Sequence, residues 1–488
     1  MKKYFFILFL PIFIFSDISA LYKTLEPNSI SKHLIFYKLY PETSEGKKAL
    51  QHVFSLLRQN NKNNFFNIPK IDLSNLLSLF ISKEPLTKKI KEKDLSVIEE
   101  ISKNLKNRKL KTYGLLEEKN FISANPEEID LARAIFLAKK MSIKEIRCYE
   151  AYLDIMALEI LTNLPKQPSY LDKIKAINDF IFFDLGFSFP EHSQSTKKID
   201  SYTNLPSVMD KRKGVCLGLS ILYLCLAQRI DLPLDAVTIP GHIFLKYKDR
   251  NIETTRRGVH IPDEKYLNME TKSIKVRDKK EVIGLLFINE ASIFLKEKDY
   301  TQATILYEKA QQYLPNSFIL KQLLGFCYIF SKKEKEGKKL LLEIREKIFP
   351  SYTMKEILAS DFLDKKVDKK GIEEVFLPFE NTKKSLLQKK DTLLKILKKY
   401  PKFRFGLLLL SNIWLELGRD KEALNVLLKY YKIDQKNPLI TFYISIISFQ
   451  RSDFKNSWKY LNITKNILQV IPKMVEDFQE VLTISCLN

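Results

Sequence analysis

Apolar side chains recur at helical spacing through most of the chain and give way to short strand-like runs in only one region. Residues 47–57 place their apolar positions three and four apart, as a one-sided helix requires. Residues 71–80 repeat the pattern. Residues 88–111 set Leu and Ile at helical intervals within a charge-rich stretch, which predicts a solvated helix. Asn125-Pro126-Glu127-Glu128 opens a further helix, with Asn as cap, Pro in the first turn and acids facing the helix dipole. Leu131–Ala138 continues it. Helices over 149–161 and 173–183 follow, the second ended by Gly186. Cys216–Arg229 is apolar nearly all round, so it reads as a buried central helix. Gly214 turns the chain into it and Asp231-Leu232-Pro233 ends it. Runs at 236–239, His242–Tyr247 and 251–255 read as strands. Helices followed by an antiparallel sheet give an α+β fold class.

From about residue 281 the texture becomes repetitive. Residues 287–315 carry Ala291, Phe294, Ala303, Tyr307, Ala310 and Pro315. Thirty-four positions later Ala291 maps to Gly325, Phe294 to Tyr328, Ala303 to Gly337 and Tyr307 to Leu341. Small residues at such places let paired helices approach, and aromatics fill the space between them. Trp414, Gly418, Ala423 and Leu427 form a second set, and Ser457 with Leu461 a weaker one. The pattern resembles tetratricopeptide repeats. Residues 350–400 read as helical but outside any unit.

Composition narrows the class. A chain of 488 residues has room for about three domains, and only 13 Gly and 19 Pro favour long helices joined by short loops. The net charge of +23 does not argue for nucleic acid. Lysines are interleaved with acids, and no aromatic-plus-arginine module for base stacking is present. The charge leaves open peripheral contact with acidic membrane surfaces and binding of acidic proteins. At the N-terminus, Lys2-Lys3, an apolar run over 4–15 and Ile18-Ser19-Ala20 read as a signal peptide over 1–20, hence export to a periplasm or the medium. The alternative is an uncleaved anchor or a buried first helix. Five cysteines at wide spacing, Cys148, Cys216, Cys225, Cys327 and Cys486, make no disulfide framework. The chain has no HExxH, no paired CxxC and no P-loop, so neither a metal nor a nucleotide cofactor is expected.

Chemistry concentrates between 213 and 255. Cys216 begins the central helix, where unpaired backbone N–H groups favour an anion and can hold an oxyanion. Cys225, nine residues on, faces the other side of that helix and reads as core. His242 begins a strand after Pro240-Gly241. If Tyr247 and Arg250 flank a two-residue turn, Glu253 falls opposite Phe244 and becomes a diagonal neighbour of His242 on one face. Tyr202 and Asn204 stand upstream as oxyanion donors or, alternatively, as structural residues. The 254–258 stretch is either an anion site or a solvated turn. His192 and His260 lie in polar loops without evident partners.

These residues carry a resemblance. Glu128-Ile-Asp-Leu-Ala-Arg-Ala134, the stretch 205–220 with Lys213-Gly-Val-Cys216, Leu222-Tyr-Leu-Cys-Leu-Ala227, Leu232-Pro233, Pro240-Gly-His-Ile-Phe244 and Asn251-Ile-Glu-Thr254 are similar to the transglutaminase-like superfamily. The resemblance implies a papain-like α+β core over 125–280. That core would lie between an N-terminal helical region at 21–124 and an α-helical repeat solenoid at 281–488. By similarity Cys216 is the nucleophile, His242 the general base and acid, and Glu253 the third member, where the family usually has aspartate. Two functions fit. One is an exported cysteine acyl-transfer enzyme acting on amide bonds of a protein or peptide, as hydrolase or cross-linker, with repeats that bind protein partners. The other is an inactive transglutaminase-like scaffold that serves as an interaction module.

Overall fold

The computed structural model describes residues 17–59, 90, 92–190, 202–377, 382–468 and 471–487. Residues 1–16 of the expected 1–20 leader, the expected helix at 71–80 and His192 lie outside the described residues. The chain forms two compact units. One comprises 1–109, 142–180 and 229–231; the other comprises 110–141, 181–228 and 232–488.

The first unit is helical. Ile30–Leu39 and Ser44–Gln59 pack on one another, and both lie against Ile143–Thr162. Ser142 starts the long helix with a capping box closed by Glu145, which satisfies two end groups at once. Glu92–Ile101 also packs on it, burying Leu95, Ile98 and Ile101. The single solvated helix expected over 88–111 therefore does not form. The stretch breaks after Ile101 into a short 3-10 turn at Lys106–Lys109, because the break lets Arg108 reach inward. Asp154 is buried and accepts from Arg108, from Arg229 Nε at 2.8 Å and from Ser102 Oγ at 3.0 Å. A second buried carboxylate, Glu159, accepts from both Ser29 and Ser31 hydroxyls and from the Ser31 backbone N–H. Buried charge is tolerated only when its lone pairs are taken up in this way.

The second unit holds the sheet. β1 (Asp235–Ile239), β2 (His242–Tyr247), β3 (Arg250–Ile252) and β4 (Lys275–Arg277) are all antiparallel, in the order β3-β2-β1-β4. Pro240-Gly241 closes the first hairpin, and Gly241 takes a φ of 74° that a side chain would resist. Lys248-Asp249 closes the second, with Tyr247 opposite Arg250, the register the sequence suggested. The third run is shorter than expected. It leaves the sheet after Ile252, since Glu253 caps a 3-10 turn at Thr254–Arg256 instead of continuing the ladder. β4 had no sequence signal. It is three residues long, and its Val276 is exposed.

Ahead of the sheet, the helix expected from Asn125 through Ala138 is two elements. Asn125 caps a 3-10 turn at Pro126–Glu128, the chain extends at Ile129 and Asp130, and Asp130 then caps Leu131–Ala138. Thr112 fixes the break, donating to the Glu128 carbonyl and accepting from the Asp130 N–H.

After β4 the chain is built from helix pairs: Lys279–Lys296 with Tyr300–Tyr313, Phe318–Phe330 with Glu334–Ile344, Arg404–Glu416 with Asp420–Ile433, and Pro438–Gln450 with Phe454–Ile467. The small residues act as the sequence predicted. A Cβ on Gly337 would sit 2.5 Å from the Gly325 carbonyl oxygen, so these two helices touch backbone to backbone. Ala291 and Ala303 are fully buried in the preceding pair, as are Tyr307 and Ala310. In the last pair Ser445 and Ser457 each donate to the other's carbonyl, at 2.6 and 3.0 Å, a polar form of the same close approach. Among the described residues no helix is long and apolar enough to cross a membrane.

Candidate active site

Cys216 opens the central helix Cys216–Arg229 and is half-buried there. The approach to it is fixed by backbone bonds. Ser188 N–H donates to the Arg212 carbonyl, Gly214 N–H to the Ser188 carbonyl, and Val215 N–H to the Tyr202 carbonyl at 3.2 Å. Gly218 lies one turn in, where a Cβ would meet the Tyr202 carbonyl oxygen at 2.4 Å. Glycine is thus required for the helix to come this close to the 202–203 segment. Tyr202 supplies a carbonyl rather than a donor at this point. Asn204 stands at the head of Leu205–Lys211, with its Oδ1 buried and no hydrogen-bond partner among the described residues.

His242, at the start of β2, hydrogen bonds to Glu253 and lies close to Cys216. Its Nε2 lies 2.7 Å from Glu253 Oε2, and Cys216 is near enough to favour the protonated ring. With Nε2 committed to the carboxylate, Nδ1 is left for the sulfur. The imidazole is 27% exposed, against 3% for the Glu253 side chain. One edge of the ring therefore remains open to an incoming group while its anchor is sealed.

The carboxylate is held on every side. Glu253 Oε1 accepts from Thr255 N–H at 3.2 Å and Thr255 Oγ at 2.6 Å, and Oε2 also accepts from the Tyr266 hydroxyl at 3.1 Å. The Tyr266 ring stacks on Phe244 with centroids 4.2 Å apart. Val237, Phe244 and Tyr266 form a small buried cluster beneath the histidine. Tyr266 is a member of the site that the sequence did not reveal. It lies thirteen residues beyond Glu253 in an irregular loop, and a lone tyrosine there has no periodic signal. Thr254 Oγ1 lies 3.1 Å from Ser220 Oγ, tying the turn after Glu253 to the central helix. The 254–258 stretch is thus part of the support of the site, with Thr254 buried. His260 has a partner after all, because its Nδ1 accepts from the Asn251 N–H at 3.0 Å.

The electrostatics follow from these bonds. Burial disfavours charge on His242, but hydrogen bonds and attraction from Cys216 and Glu253 outweigh it and raise the ring to about 9. Burial pushes Glu253 up, while bonds from His242 and Thr255 more than offset this and hold it below the usual carboxylate range. Tyr266 is raised, first by burial and then by Glu253, so its hydroxyl stays a donor. At neutral pH the geometry supports a protonated imidazole facing a sulfur at a helix N-terminus. Cys148, Cys225 and Cys327 are buried and form no disulfide; burial raises Cys327 to about 12. The side chain of Cys486 lies outside the described residues. No group of three or more His, Cys, Asp or Glu placed to hold a metal occurs among the described residues.

Comparison with known proteins agrees with the class. Residues 147–268 match the model of the transglutaminase-like superfamily, so the chain carries a transglutaminase-like domain followed by helical repeats. Two curated proteins of Xylella fastidiosa, from strains Temecula1 and 9a5c and each called "UPF0162 protein", are 32% identical over 74 residues, 15% of this chain. The chain spans 25% of the length of these relatives. Among solved structures, "MamA AMB-1" is 14% identical, covering 38% of this chain and 92% of that one at a TM-score of 0.20. YrrB, titled "a TPR protein with an unusual peptide-binding site", is 12% identical over 40% of this chain and 92% of its own at 0.22.

Proposed function

We propose that this protein is a cysteine-dependent acyl-transfer enzyme acting on amide bonds of peptides or proteins, with Cys216 as nucleophile, His242 as general acid and base, and Glu253 as its orienting carboxylate. The observation that carries the reading is the imidazole of His242, near enough to Cys216 for each to act on the other's charge and 2.7 Å from a buried, fully engaged carboxylate. An imidazolium beside a sulfur is the arrangement that makes a thiolate nucleophile. Sγ attacks the carbonyl carbon, and the oxyanion forms toward backbone N–H groups at the helix start. His242 Nδ1 gives its proton to the nitrogen as the C–N bond breaks, leaving a thioester. Water or a second amine then loses a proton to Nδ1 and attacks the thioester, and the sulfur departs. Water makes the protein a hydrolase; an amine makes it a cross-linker.

The reading further holds that the repeat helices dock protein partners and that the N-terminal leader directs export. The test is alkylation by iodoacetamide followed by intact mass. Cys216 should react selectively at pH 6, and His242→Ala should abolish that selectivity. Equal reactivity of Cys216 and an exposed model thiol at pH 6 would leave only the interaction-scaffold reading.

A further inference from the structure

The two stretches that frame the site are cationic, and a third stretch joins them. Cys216 is preceded by Lys211-Arg212-Lys213, and Glu253 is followed by Arg256-Arg257. Segment 181–188 touches both. Arg212 Nη1 donates to the Leu185 carbonyl at 3.1 Å, Ser188 bonds on either side of Arg212-Lys213-Gly214, and the Arg257 guanidinium lies 5.4 Å from the centre of the Phe183 ring. Phe183 is 61% exposed, so the arginine rests on an open aromatic face, a geometry that orients a guanidinium without neutralising it. Lys211 is exposed on the other side, its Nζ 5.4 Å over the Tyr202 ring.

The turn that carries Arg256 and Arg257 is tied to the helix that Cys216 opens. Ser220 lies on the same face of the helix as Cys216, one turn of about 5.4 Å along it, and Ser220 Oγ contacts Thr254 Oγ1 at 3.1 Å. Arg256 and Arg257 are the second and third residues after that contact. Arg256 is also close enough to Tyr266 to act on its hydroxyl electrostatically. Segments 181–188, 210–214 and 253–259 together hold five cations and three carboxylates. Glu253 is spent on His242 and Thr255. Lys211, Arg256 and Arg257 are exposed and form no ion pair with a described carboxylate.

We infer that this rim selects acidic substrates: the acyl donor is a peptide carrying glutamate or aspartate side chains within a few residues of the scissile amide. One such carboxylate would meet Arg257, with its aliphatic stem on the Phe183 ring, and another Lys211. The inference rests on Cys216 being an activated nucleophile, as proposed above. Charge placed around a site in this way raises encounter and discriminates against like-charged partners.

The test uses the full chain and three peptidyl acyloxymethyl ketones that differ only in the two residues before the electrophile: Glu-Glu, Gln-Gln and Lys-Lys. Second-order labelling of Cys216 is read by intact mass. The acidic probe should react about ten-fold faster than the basic one at low salt, a ratio that shrinks at 0.5 M NaCl. Arg257→Glu and, separately, Lys211→Glu should each reduce or reverse the ratio; the second variant guards against a folding defect in the first. Iodoacetamide on the unaltered protein separates the two claims. Selective alkylation of Cys216 with equal rates for all three peptides would overturn the acidic preference and spare the nucleophile. Absence of selective alkylation would overturn both.

Discussion

Replacing Glu253 by Gln tests the site at the point where its hydrogen-bond logic is tightest. The carboxylate receives four bonds: from His242 Nε2, the Tyr266 hydroxyl, the Thr255 N–H and the Thr255 hydroxyl. A carboxamide can keep an oxygen toward the Thr255 N–H only by turning its NH2 toward His242. Nε2 must then accept, which forces a neutral ring with its proton on Nδ1 and removes the base that would face Cys216. If the amide turns the other way, NH2 opposes the Thr255 N–H and a buried donor loses its acceptor. Either orientation withdraws the negative charge that, together with Cys216, raises His242 from 6.5 to about 9 against its burial. Assigning Glu253 roughly half or more of that rise, the ring should fall by about 1–2 pH units, which is about 1.4–2.7 kcal/mol between its two protonation states. The assay is the pH–rate profile of Cys216 alkylation, with the imidazole titrated in parallel by NMR. The variant should lose about ten- to a hundred-fold in rate near pH 7.5, and its ring should titrate correspondingly lower. Profiles that superimpose on the unaltered protein would refute the coupling and demote Glu253 to a structural carboxylate. Glu253→Asp should fall between the two, keeping the charge but pulling it about one carbon–carbon bond away from Nε2.

The raised histidine also shapes stability. Its contribution is fully present below pH 6.5 and is lost as pH rises through about 9, whereas the lowered Glu253 contributes above pH 4.5 and is lost as pH falls below it. The gap in unfolding free energy between the unaltered protein and His242→Ala should therefore shrink between pH 6.5 and 9 in urea titrations, and a pH-independent gap would contradict it. Gly218→Ala places a methyl 2.4 Å from the Tyr202 oxygen and should cost about 1–3 kcal/mol, read as a lower thermal midpoint together with slower Cys216 labelling. Gly337→Ala drives a methyl to 2.5 Å from the Gly325 oxygen and should destabilise by about 1–3 kcal/mol without changing that labelling. Asp154→Ala takes the shared carboxylate from Arg108 and Arg229 and should cost about 3–5 kcal/mol, measured by denaturant unfolding.

The His242–Glu253 contact was legible in the sequence because its determinant is local: a two-residue turn sets which strand residues face each other and so brings Glu253 alongside His242. The register needed only that turn length, which the pairing of Tyr247 with Arg250 bears out. Departures arise where a side chain competes with the backbone pattern. Glu253 leaves the strand because its carboxylate caps the turn that follows. Asp130 divides a helix that the Asn-Pro signal alone would have run together. The stretch after Ile101 breaks because Arg108 is drawn to Asp154, 46 residues away in sequence. Such long-range polar bonds have no periodicity to betray them, and the same holds for Tyr266 and for the three-residue β4.

Tyr266 also explains why the site and the repeats belong to one packed unit. Its hydroxyl supports Glu253, and three residues later Met269 is buried among Leu439, Phe442, Leu461, Val475 and Leu482 of the last helices. Beyond Met269 the backbone is pinned as well. Thr353 N–H donates to the Glu270 carbonyl, and Lys272 N–H to the Ser351 carbonyl, both at 3.0 Å. A segment held at one end by a repeat core and at the other by the Glu253 carboxylate has little freedom to shift at one end alone, since close-packed interiors transmit displacement rather than absorb it. The repeat helices therefore do more than present a surface. They fix the loop that supplies one of the four hydrogen bonds on Glu253, and through that carboxylate they bear on the imidazole beside Cys216.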